Sequence, residues 1–124
     1  MASLLYRHTI LDHYQNPRHF GKGGANARTG EASNPMCGDK LTLYVDADRT
    51  GKIRAISFEG EGCAISMASA SLFLEKVVEE NLTFDELHAL PPVYIYELLG
   101  VPISSARQDC ALLILSAVKK IKRS

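Results

Sequence analysis

The stretch from Leu41 to Val78 limits the fold more tightly than any other part of the chain. Leu41, Leu43 and Val45 alternate with Thr42 and Tyr44, a turn-rich Asp46-Ala47-Asp48-Arg49-Thr50-Gly51 follows, and a second apolar run extends from Ile53 to Phe58. Period-two alternation on both sides of a polar turn predicts an antiparallel hairpin with one buried face. After Gly60 and Gly62 the pattern becomes Cys63-Ala64-Ile65-Ser66-Met67-Ala68-Ser69-Ala70-Ser71, leading into Leu72 to Val78. The small residues suit a helix lying close on that face, which puts Cys63 at a loop-to-helix junction.

The flanking segments read as further helices. Leu4 to Tyr14 carries Leu4, Leu5, His8, Ile10 and Leu11 at helical spacing, and Asn16-Pro17 stops it. From Phe20 to Pro35 the glycines 21, 23, 24 and 30 predict a mobile loop with at most one edge strand at 26–29. Thr83 with Glu86 three positions on is a capping-box pattern, and Pro91-Pro92 separate that short helix from a second over Tyr94 to Leu99. Arg107 to Lys122 predicts one last helix, with Cys110 in its exposed first turn and Lys119, Lys120, Lys122 and Arg123 at its negative end. Helix, strands, then helices give an α+β fold, a small antiparallel sheet with helices packed on one face, and 124 residues without a linker read as a single domain over 1–124.

Charge and cysteine content narrow the function. The 14 basic and 14 acidic side chains cancel, so no net field draws the chain to nucleic acid or to an anionic membrane. Without a basic and apolar leader or a membrane-length apolar run, the expected location is cytoplasmic. Three cysteines in such a compartment do not make a disulfide framework. Taken singly each would most often be a buried apolar residue, yet none lies inside an apolar run. Cys37 and Cys63 are flanked by glycines that leave backbone amides free to approach a sulfur, and a helix start favours the thiolate that metal and sulfur chemistry require. Asp39, two residues beyond Cys37, either completes a three-sulfur, one-oxygen tetrahedron or caps a turn. Separations of 26 and 47 positions lack the close Cys pairs of a structural zinc site, so the fold itself must assemble the group, as suits a metal that is loaded and released. His8, His13, His19 and His88 show no ligand spacing, and His8 and His13 read as partly exposed helix residues without a role. Gly60-Glu61-Gly62 is too short for a nucleotide loop.

Asn34-Pro35-Met36-Cys37-Gly38-Asp39, Phe58 to Ser71 and Arg107-Gln108-Asp109-Cys110-Ala111, in this order, resemble the three cysteine blocks of the U-type iron–sulfur cluster assembly scaffolds, the IscU, SufU and NifU group. Asp12-His13-Tyr14-Gln15-Asn16-Pro17-Arg18 is similar to that family's N-terminal segment. The resemblance implies that Cys37, Cys63, Cys110 and Asp39 bind a transient [2Fe–2S] cluster or zinc. It implies a cysteine desulfurase as sulfur donor, carrier or acceptor proteins as recipients, and Asp39 as the residue that aids cluster release. Cys110, opening a helix, is the expected sulfur acceptor. The alternative is a zinc-dependent sulfur acceptor of the desulfurase. Arg107 and the long second block resemble the SufU branch, while the stretch between Cys63 and Cys110 is shorter than is usual there. Asp109 stands where IscU carries a histidine, so no histidine ligand transfers. Leu90-Pro91-Pro92-Val93 resembles the chaperone-recognition motif of IscU but lies 20 residues before Cys110, with Tyr94 at the expected lysine, so it reads as a helix boundary and no dedicated Hsp70 partner is expected. The four ligands are expected at one exposed site at one end of the molecule.

Overall fold

Alternation fixes the sheet. A computed structural model describes residues 2–35 and 38–121, with side chains from Arg7 onward. Strand β2 (Asp39–Ala47) lies between β1 (Arg28–Asn34) and β3 (Ile53–Glu61), and both pairs are antiparallel. The register sets Gly30 opposite Leu43, Ala32 opposite Leu41 and Leu43 opposite Phe58, so these residues share one face. Leu41, Leu43, Val45 and Phe58 are fully buried there. Each such side chain contributes about 1.5–3 kcal/mol by leaving water. The opposite face carries Glu31, Lys40, Thr42, Glu59 and Glu61.

Helices α2 (Ala64–Glu79) and α6 (Leu113–Lys120) cover the apolar face, α1 (Ala2–Gln15) packs on α2, and α3 (Phe84–Ala89), α4 (Pro92–Leu99) and α5 (Ser105–Ala111) complete the helical layer. This is the α+β arrangement the sequence predicts. Thr83 and Glu86 form the full capping box at the start of α3, and Gly100, at φ 68°, ends α4 in a left-handed conformation that suits glycine. No described helix is long and apolar enough to cross a membrane.

Three expectations need correction. The 28–34 segment is a full strand, where a loop with an edge strand at 26–29 was expected. Its inward residues are Gly30 and Ala32, which give no large-apolar alternation to read. A Cβ at Gly30 would collide with the backbone carbonyl oxygen of Ala117, so α6 crosses β1 at backbone contact and only glycine fits. The expected single last helix is two, broken at Leu112 (φ −92°, ψ 3°), which moves Cys110 from a first turn to the last turn of α5. Among the described side chains of α1, Ile10 is buried as anticipated, but His8 is exposed, Leu11 is 49% exposed and His13 is buried, so that part of the inward stripe is turned from the one anticipated.

Candidate metal centre

Asp39 reaches the site because β2 begins there. Gly38, at φ 72°, turns the chain into the strand, and Asn34, the last residue of β1, pairs with Asp39 across the ladder. The Asp39 carboxylate is 1% exposed, and its burial is compensated by a hydrogen bond that Oδ1 accepts from the backbone N–H of Cys63 at 3.0 Å. Its Oδ2 lies 3.7 Å from the Cys63 sulfur. Gly62 allows this approach, since a Cβ there would meet Asp39 Oδ1 at 2.7 Å and Ser66 Oγ at 2.6 Å.

Cys63 caps α2 in extended backbone geometry (φ −74°, ψ 167°), as its junction position predicts. Its carbonyl accepts from Met67 N–H and from the Ser66 hydroxyl at 3.0 Å, and the same hydroxyl lies 3.8 Å from its sulfur. Cys110 arrives from the other side, on α5, with no exposed surface. The Asn34 side-chain amide donates to its sulfur at 3.7 Å. Arg107, one helical turn earlier, has its guanidinium held above its usual pKa, first by the charge of Cys63 and then by its interaction with Cys110.

The fold thus brings together three of the four predicted ligands. One donor atom each from Asp39, Cys63 and Cys110 lies within 4.8 Å of the others. Cys37 lies outside the described residues. The expectation of an exposed group does not hold for the described members, because Asp39 and Cys110 are buried and only Cys63 is half-buried. Ligands of one tetrahedral ion with metal–sulfur bonds near 2.3 Å sit roughly 3.5–4 Å apart, and the Cys63–Asp39 separation of 3.7 Å falls in that range. Two sulfurs and a carboxylate oxygen suit zinc or an iron–sulfur cluster.

Sequence reasoning assigned no part to Asn34 or Ser66. The signal for Asn34 was its place at the start of the block that carries Cys37 and Asp39. His13, expected on a partly exposed helix face, is buried at 3% exposure. His13 Nδ1 lies 2.6 Å from the Ser71 hydroxyl, which also accepts the backbone N–H of Arg18 at 2.8 Å. His13 Nε2 lies 3.7 Å from Glu75, and Arg18 links Glu75 to Asp12. This network fastens α1 and the turn after it to α2.

The NifU-like N terminal domain family model matches residues 5–122. The chain is 34% identical to the iron–sulfur cluster assembly scaffold protein IscU of Haemophilus influenzae, an alignment covering 94% of this chain and 91% of that one. It is 36% identical to the zinc-dependent sulfurtransferase SufU of Bacillus subtilis, over 94% and 88%. Among solved structures, a SUF-system protein of Fervidobacterium islandicum, described as a cluster assembly scaffold, superposes with a TM-score of 0.79 at 25% identity, covering 95% of this chain and 96% of that one. Matched over nearly its whole length in sequence and in fold, the chain belongs to the NifU-like N-terminal domain family.

Proposed function

We propose that this protein is a scaffold on which an iron–sulfur cluster is assembled and from which it is passed to acceptor proteins. The observation that carries the reading is the convergence of Asp39, Cys63 and Cys110, from a strand start, a helix cap and a separate helix, within 4.8 Å. A group assembled by tertiary structure from distant ligands loads and releases its cargo without nucleating the fold. In this reading Cys37 completes the ligand set and the cargo is a [2Fe–2S] cluster. Iron and sulfur are substrates, and the sulfur comes from a cysteine desulfurase.

Cys110 is the proposed sulfur acceptor, though neither an exposed position nor a helix N-terminus supports it. Its support is the Asn34 N–H donor at its sulfur, with the positive guanidinium of Arg107 one turn earlier on the same helix, a setting that suits a negatively charged nucleophile. Because the residue is fully buried, transfer requires α5 to move when the desulfurase docks.

A second reading, a zinc-dependent sulfur acceptor, is favoured by the likeness to the Bacillus subtilis sulfurtransferase and by Asp109 at the position where IscU has a histidine. Anaerobic incubation with ferrous iron, cysteine and a desulfurase separates the two. The scaffold reading expects visible absorption that stays with the protein, requires Cys63 and Cys110, and transfers to an apo-acceptor. Stimulation of sulfide output by zinc-loaded protein, with no cluster retained, would overturn it in favour of the second.

A further inference from the structure

We infer that Asn34 is a positioning residue of the metal centre, which aims the Cys110 sulfur at the ligand group and holds it there; the inference rests on the reading of Cys110 as a ligand. Asn34 and Asp39 are partners across the β1–β2 ladder. Each fastens a different distant cysteine. Asp39 accepts the backbone N–H of Cys63 at 3.0 Å, and Asn34 donates its side-chain amide to the sulfur of Cys110 at 3.7 Å. One rung of the sheet therefore sets both cysteines relative to each other.

The need for this second contact follows from the position of Cys110. It lies in the last turn of a seven-residue helix that breaks at Leu112, so α5 alone fixes its direction weakly. The strand, by contrast, is held by a full ladder to β2 and by the backbone contact of α6 at Gly30. A donor on the strand ties the sulfur to the more rigid element. An N–H directed at a metal-bound thiolate also disperses part of the negative charge that three thiolates and a carboxylate bring to one centre. Arg107 supplies charge from the helix side but moves with α5, so it does not replace an anchor on the sheet.

Cobalt(II) is the probe, because sulfur-to-cobalt charge-transfer absorbance reports the number of thiolate ligands without any activity assay. Asn34→Ala and Asn34→Ser, the latter with a turn-forming side chain too short to reach the sulfur, should each bind cobalt about tenfold more weakly. Their charge-transfer intensity should fall toward that of Cys110→Ser. Asn34→Gln, which keeps an amide donor, should recover part of both, and Asn34→Ala should add nothing in a Cys110→Ser background. If Cys110→Ser loses a thiolate while the Asn34→Ala and Asn34→Ser variants keep the wild-type spectrum and affinity, or if the two effects add in full, Asn34 does not position the sulfur. If Cys110→Ser itself matches the wild type, Cys110 is not a ligand, and both the ligand reading and this inference fall together.

Discussion

The carboxylate of Asp39 accepts the backbone N–H of Cys63 at 3.0 Å through one oxygen and presents the other 3.7 Å from the Cys63 sulfur. One oxygen is structural and the other is left for a metal, so the two roles can be separated by mutation. Asp39→Ala removes both. Losing the buried acceptor costs about 1–3 kcal/mol of stability, because the Cys63 N–H is left without its partner. Asp39→Asn keeps an acceptor for that N–H and loses the anionic ligand. The expected pattern is a lowered melting temperature for the metal-free alanine variant, near wild-type melting for the asparagine variant, and weakened zinc in both. A cluster, once formed, should persist longer in both, since a carboxylate is the poorest match to iron and sulfide. Equal zinc content and equal cluster lifetime across all three proteins would reduce Asp39 to a turn residue.

Gly62 is tested by adding a single methyl group. A Cβ at this position would stand 2.7 Å from Asp39 Oδ1 and 2.6 Å from Ser66 Oγ, so Gly62→Ala must displace the carboxylate, the serine or the start of α2. Overpacking of this kind costs about 1–3 kcal/mol, and moving a ligand weakens the metal about tenfold or more. Gly38→Ala is the informative comparison: its Cβ would meet nothing within 4 Å, but φ is 72°. That variant should lose stability through backbone strain and leave the Asp39–Cys63 contact in place. Competition with a chromophoric zinc chelator should rank Gly62→Ala well below Gly38→Ala, and the reverse order would mean that the close approach at Gly62 does not govern the site.

How much of this was legible in the sequence depends on what each residue reports locally. The β2–β3 hairpin was legible because Leu41, Leu43, Val45, Ile56 and Phe58 are large and alternate. The α2 boundary was legible because Cys63 follows two glycines and precedes a run of small residues. Strand β1 was hidden, since its inward positions hold Gly30 and Ala32 to admit α6, and small residues carry no hydrophobic signal. The break at Leu112 was equally hidden, because neither glycine nor proline marks it. His13 was misjudged for a different reason: its partner Ser71 lies 58 positions away, and no local pattern encodes that contact. The ligand set was named from motif order, whereas Asn34 shows its role only once α5 is folded against the end of β1.

His13 gives the fold a pH dependence of definite sign. Burial pushes its pKa below the ordinary value, Arg18 adds to the shift, and Glu75 and Asp12 oppose it. The folded ring is therefore neutral at pH values where the unfolded one already holds a proton. Above about pH 6.5 neither state is protonated and this group adds no slope. Below it the unfolded chain binds more protons than the native one, so stability falls as pH falls until the folded pKa is passed. Melting temperatures measured from about pH 7 to pH 5 should drop more steeply for wild type than for His13→Gln, which cannot titrate. Parallel profiles would mean that burial does not shift His13 in the folded state, and a wild-type profile shallower than the variant's would mean a protonated ring paired with Glu75.

The burial difference between the two described thiols predicts their order of reaction. Cys63 is half-buried at the cap of α2, whereas Cys110 has no exposed surface and is covered where α5 meets the end of β1. An alkylating reagent reaches a buried sulfur only through local opening, so the rate at Cys110 carries the free energy of freeing α5 from its packing on α2 and α6 and from Asn34. In metal-free protein Cys63 should be modified at least about tenfold faster than Cys110, as read by mass spectrometry of the two peptides. Denaturant should bring the two rates together, because the protection belongs to the fold and not to the thiol. A docked cysteine desulfurase should speed Cys110 selectively if it opens α5 to deliver sulfur, and a Cys110 rate that matches Cys63 in the free, folded protein would show that α5 already opens without a partner.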